Sequence, residues 1–156
     1  MQSSEAKVHA ALDRAINELI RRDQHLLESD CSERSITHHL AVYLAAEFPQ
    51  YNVDCEYNRD GFDVKRLKLG EREVKVSDDE LDAVTVFPDV VVHERGTNGS
   101  NLLVVEVKKA VSRTDLAEYD IRKLQAFKAE LGYVHAAHVV LGYSRNQVLV
   151  REVAWQ

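Results

Sequence analysis

Asp89, Glu106 and Lys108 are the residues whose types and spacing suggest chemistry. Asp89 opens the apolar run Val90-Val91-Val92-His93, and Glu106-Val107-Lys108 closes the run Leu102-Leu103-Val104-Val105. Between the runs lies a polar stretch, Gly96-Thr97-Asn98-Gly99-Ser100. Asn-Gly is the favoured pair for a two-residue hairpin turn, because both positions need positive φ. A hairpin turning on Asn98-Gly99 sets Asp89 opposite Lys108 and Val91 opposite Glu106. Alternate residues of a strand share a face, so all three chemical groups project from one side, with Glu106 the diagonal neighbour of Asp89. Runs this apolar imply a sheet buried on both faces, where a charge must be paired, must hold a metal or must carry a heavy desolvation cost. Two carboxylates, with waters and a phosphate oxygen, are the oxygen-rich surroundings that Mg²⁺ or Mn²⁺ prefers. A lysine beside them can orient or deprotonate a water and stabilise charge developing on phosphate. The same residues also fit a structural Asp–Lys cross-strand pair at a sheet edge with Glu106 solvated, and spacing alone does not choose.

The elements that must position these groups follow from periodicity. From Glu5 to about Glu28, Val8, Leu12, Ala15 and Leu19 mark one face of a helix. Ser29-Asp30-Cys31-Ser32 interrupts it, and Ser32 can cap a second helix from about Glu33 to Glu47, closed before Pro49. Tyr51, Val53 and Cys55 alternate with polar residues as a short strand. Residues 59–76 read as a hairpin about Gly70-Glu71, and Ser77-Asp78-Asp79-Glu80 fits a capping box opening a helical turn. After the motif-bearing hairpin, helical spacing returns from Thr114 to Leu131 and stops at Gly132. Ala137 to Tyr143 and Gln147 to Val153 complete the order α-α-β-(insert)-β-β-α-β-β, a single α/β domain over residues 1–156 with a polar insert at about 59–86.

Composition narrows the function classes. Of 156 residues, 45% are apolar and 29% charged, so the chain can bury a core without disulfides or structural metal. No apolar run approaches the length of a membrane span, and Met1-Gln2-Ser3-Ser4-Glu5 lacks a signal-peptide pattern, so a cytoplasmic protein with free thiols at Cys31 and Cys55 is expected. Twenty basic against 26 acidic residues leave a net charge of −6, which counts against affinity built on blanket phosphate neutralisation. His93 reads as a structural histidine, and His38, His39, His135 and His138 lack zinc-ligand spacing with cysteine.

Pro88-Asp89 followed by Glu106-Val107-Lys108 resembles the PD-(D/E)XK motif of the restriction-endonuclease-like nuclease superfamily. The flanking elements fit: a helix before the first strand, the hairpin bearing the motif, then a helix and a further strand, over roughly residues 30–145. The resemblance implies a restriction-endonuclease-like fold, with a central mixed β-sheet flanked by helices. It implies Mg²⁺- or Mn²⁺-dependent hydrolysis of nucleic-acid phosphodiesters, DNA foremost. Asp89 and Glu106 would be metal ligands and Lys108 the catalytic lysine. Many members add an acid from the helix preceding the sheet; Glu33 holds that position, completing the metal shell through water, although a first-turn carboxylate also suits the helix dipole alone. On the helix after the motif, Asp120, Lys123 and Phe127 share a stripe with Gln125 adjacent. Lys123 would hold a phosphate and Gln125 would order a water, unless Asp120 and Lys123 form a mere surface pair. Lys109 and Arg113 would contact phosphate. The insert, with Arg59, Lys65, Arg66, Lys68, Arg72 and Lys75, would be a flap gripping substrate or a solvated hairpin. Cutting two strands calls for two sites, hence a homodimer. The acidic balance and the absence of a DNA-reading module leave open a catalytically silent member that binds nucleic acid or a protein partner within a larger complex.

Overall fold

The structure is a computed structural model that describes residues 4–57, 59–60, 63–64, 66–67, 84–85, 87–112 and 116–156; within residues 59–85, and at 112 and 116, only the backbone is described. Helix α1 (Glu5–Arg22) turns Val8, Leu12, Ile16 and Leu19 inward. The expected continuation to Glu28 fails at Asp23, whose φ of −117° and ψ of 30° leave the helical region. The chain restarts as the short α2 (Gln24–Glu28). Aspartate competes with the helix through its own short side chain, and the Asp23 carboxylate accepts a hydrogen bond from the Tyr43 hydroxyl. Helix α3 (Glu33–Glu47) has the expected bounds, and the Ser32 side chain accepts the Ser35 N–H at 3.3 Å as its N-cap.

Strand β1 (Asn52–Cys55) follows. Four two-residue strands, β2 (Arg59–Asp60), β3 (Asp63–Val64), β4 (Arg66–Leu67) and β5 (Val84–Thr85), pair as β2–β3 and β4–β5 outside the main sheet. The β4–β5 pairing sets Leu67 beside Val84, so β4 does not pair across a Gly70-Glu71 turn. That turn, the turn at 77–80 and the grip of the flap's side chains lie outside the described residues. The main sheet adds β6 (Val90–His93), β7 (Leu103–Lys109), β8 (His135–Tyr143) and β9 (Leu149–Trp155), in the order β1-β6-β7-β8-β9. All neighbours are antiparallel except β7 and β8. A parallel pair needs a crossover, here a 3-10 turn (Ala110–Ser112) and helix α4 (Leu116–Leu131). Gly132, at φ +70°, ends α4 in the left-handed region. Asn101 donates to the Leu131 carbonyl at 2.7 Å, tying that end to the start of β7.

The β6–β7 register differs from the expectation. Val90 pairs with Val105 and Val92 with Leu103, so β7 is shifted by two residues. The connection is a long loop rather than a two-residue turn: Gly96, at φ 82°, takes the left-handed conformation, while Gly99 does not. Because the shift is even, every side chain keeps its face. One face (Val90, Val92, Leu103, Val105, Val107) packs on α1 and α3, and the other (Val91, Val104) on Leu124, Phe127 and Leu131 of α4. Cys31 and Cys55 are free thiols, and among the described residues no helix is long and apolar enough to cross a membrane.

Candidate active site

Continuing the β6–β7 register by one residue sets Asp89 directly beside Glu106, closer than the diagonal placement expected. The Asp89 N–H points to Glu106 Oε1 at 3.4 Å, and the Val107 N–H donates to Asp89 Oδ2 at 2.7 Å. Lys108 projects from the same face two residues along β7. The three residues therefore meet where the apolar part of the sheet ends, under the N-terminal half of α4.

Helix α4 brings two more charged groups to this point. Lys123 reaches Glu106 Oε1 at 3.0 Å and donates to the Phe87 carbonyl at 2.9 Å. Asp120, one turn earlier, lies 3.3 Å from the Lys108 ammonium through Oδ2. The surface pair between Asp120 and Lys123 is thus absent: each residue is drawn to the opposite charge on β7, inside the protein. Glu106 is 3% exposed and Asp120 7%.

Burial sets the protonation of this cluster. It pushes the Glu106 carboxyl up to about 8, with Lys123 pulling the other way. Burial also raises Asp89, against the Val107 N–H and Lys123. At Asp120 burial is outweighed by His138 and Lys108, which hold the carboxyl below its usual range. Burial opposes the charge on Lys123 too, but Glu106 and its acidic neighbours win and raise it.

Glu33 approaches from the start of α3. Its Oε2 accepts the Lys109 N–H at 2.9 Å, and its Oε1 lies 4.0 Å from the Lys108 ammonium. With Asp89, Arg34, Thr37, His38, Cys55 and Glu56 it lines a cleft of about 310 Å³. Glu33 and Asp89 share that cleft, yet among the described residues no three acidic, histidine or cysteine side chains gather closely enough to form a metal cluster. Lys109 turns to Asp30, 2.7 Å from its ammonium. Gln125 is exposed, and Arg113 lies outside the described residues. His93 is structural, with Nε2 2.8 Å from Asp54 Oδ2 and 2% exposure.

His138 is the site residue the sequence reading passed over. Its Nε2 lies 3.4 Å from Asp120 Oδ2, and the residue is 5% exposed. Alternation along β8 already placed it on one face with Ala136. What sequence could not supply was the parallel register that seats it beside Glu106. Compared with family models, with curated proteins and with solved structures, the chain shows no match in any of the three.

Proposed function

We propose that this chain is a divalent-metal-dependent nuclease of restriction-endonuclease-like fold that hydrolyses phosphodiester bonds in nucleic acid, DNA foremost. The observation that carries the reading is the side-by-side placement of Asp89, just before β6, and the buried Glu106 of β7, with Lys108 on the same face. The order α3-β1-β6-β7-α4-β8 supports it, since it repeats the helix, motif hairpin, helix and strand of the resemblance.

The donor set fits Mg²⁺ or Mn²⁺. Val107 engages one oxygen of Asp89 and Lys123 one of Glu106, and Mg²⁺ takes one or two carboxylates while keeping several waters. Bound there, the ion would polarise the scissile phosphate and stabilise charge developing on it. Lys108 orients the attacking water and meets the same developing charge. Lys123, on leaving Glu106, holds a non-bridging phosphate oxygen, and Glu33 fixes the backbone of β7 through the Lys109 N–H.

One observation favours the catalytically silent module: Glu106 and Asp120 each already have a lysine of this chain beside them. Cleavage of plasmid, single-stranded DNA and RNA with Mg²⁺ or Mn²⁺ decides between the two. Wild type should cut only with metal, and Asp89→Ala and Lys108→Ala should each lose about 10²–10⁴-fold in rate while still melting cooperatively. Absence of cleavage, together with no metal-induced rise in melting temperature, would transfer the assignment to the silent module.

A further inference from the structure

We propose that Asp120 and His138 are positioning residues for Lys108, a buried carboxylate–imidazole pair that fixes where its ammonium stands. The kinetic part of this inference rests on the nuclease reading, whereas the placement of Lys108 stands on contacts alone.

A lysine ammonium is a compact charge on a flexible four-carbon stem, so its neighbours determine its position. Lys108 has acidic neighbours on several sides. Glu106 is two residues back along β7, Glu33 Oε1 lies 4.0 Å from Nζ, and Asp120 Oδ2 lies 3.3 Å from it. Asp120 is thus the nearer of the two measured anchors, and it holds the ammonium on the α4 side of the sheet.

Asp120 is itself held. His138 Nε2 lies 3.4 Å from the same Oδ2. An ionised carboxylate only accepts, so an attractive contact requires the hydrogen on Nε2. His138 belongs to β8, hydrogen-bonded into the sheet beside Glu106. The three residues therefore close a circuit: β8 fixes Asp120 of α4, and Asp120 fixes Lys108 of β7. Neither Asp120 Oδ2 nor His138 Nε2 completes a well-directed hydrogen bond, although both are shielded from solvent. Charge and proximity hold the group together, and small movements on substrate binding can shorten both contacts.

Lysine footprinting with an amine-reactive reagent and mass spectrometry, combined with steady-state kinetics, tests the assignment. The variants are His138→Leu, His138→Gln and Asp120→Asn. His138→Leu and Asp120→Asn should raise Lys108 labelling severalfold and lower kcat about 10–100-fold, as loss of a supporting partner does elsewhere, with KM little changed. His138→Gln, whose amide can replace Nε2–H, should restore both readouts towards wild type. If His138→Leu does not fold, Asp120→Asn carries the test alone. Wild-type labelling of Lys108 in folded Asp120→Asn would overturn the proposal, as would equal behaviour of His138→Gln and His138→Leu. Should the wild type cleave nothing under any metal, the nuclease reading falls, and the labelling ratios still decide the positioning.

Discussion

Helix α4 and strand β7 each bring one acid and one base to the site, and these pair crosswise: Lys123 with Glu106 at 3.0 Å, Lys108 with Asp120 at 3.3 Å. The geometry is available because three residues of helix rise about 4.5 Å and two residues of strand about 6.6 Å, spacings that long lysine stems can bridge. Each buried charge thereby meets its opposite, the condition for tolerating it away from water. Lys123 is consequently structural, whatever its proposed part in holding phosphate. Above about pH 8, where Glu106 is ionised, Lys123→Met should destabilise the metal-free protein by about 3–5 kcal/mol, the usual effect of stranding one member of a buried pair. Adding Glu106→Gln should restore most of that loss, because the stranded acid is then gone. Thermal melts of both variants in chelator check this, with about 2–4 °C expected per kcal/mol. A double variant no more stable than the single would show that Glu106 is not what Lys123 supports.

Strand β1 is anchored to β6 beside the site by a polar clamp that is buried at His93 and open at Arg95. Asp54 of β1 accepts from His93 Nε2 and from Arg95 Nε, each at 2.8 Å, and Asn52 Oδ1 accepts the Arg95 N–H at 3.1 Å. Burial works against the Asp54 charge, but Arg95 and His93 hold its carboxyl below the ordinary value of 3.8. A lowered folded-state value means that, around and below pH 3.8, the unfolded chain binds the proton more readily than the folded one. The clamp's contribution is therefore complete above that pH and disappears as pH falls through the folded-state value. Asp54→Asn should lower stability by about 1–3 kcal/mol at neutral pH, and melts on descending pH should find the gap to wild type closing only below about pH 4. A constant gap would mean that the Asp54 charge is not the cause. Anchors of this kind also mark the limit of what the sequence shows. Helix α3 was readable to its ends because Ser32 and Pro49 act locally. The faces of β6 and β7 were readable because alternation survives an even slip. The register itself was not, since Asn98-Gly99 is a turn signal that the nine residues between the strands do not need. The break at Asp23 and the seat of His138 depend on Tyr43 and on β7, contacts distant in sequence.

Across the whole molecule, a net charge of −6 is repeated in miniature at the cleft. Around the motif stand five carboxylates, Asp30, Glu33, Asp89, Glu106 and Asp120, against three lysines, Lys108, Lys109 and Lys123, while Arg34 is matched by Glu56. Above about pH 8, where Glu106 is ionised, a phosphate entering this surface meets net negative charge at short range, and a low-dielectric cleft strengthens that repulsion. A divalent ion held beside Asp89 and Glu106, as proposed, would add two positive charges and cancel the excess, so metal and nucleic acid should bind cooperatively. Lys108→Ala, expected to cleave poorly, permits the measurement. Its affinity for a labelled duplex, followed by fluorescence anisotropy, should rise at least about tenfold on replacing chelator with Mg²⁺, equivalent to about 1.4 kcal/mol. Because few phosphates can be neutralised by the chain itself, the dependence on monovalent salt should be shallow, with a slope of about −0.9 per contact. Duplex binding that ignores chelator would place the nucleic-acid surface away from Asp89 and Glu106. In that outcome the paired lysines would be structural, and the fold would serve as a binding module whose acids never meet a metal.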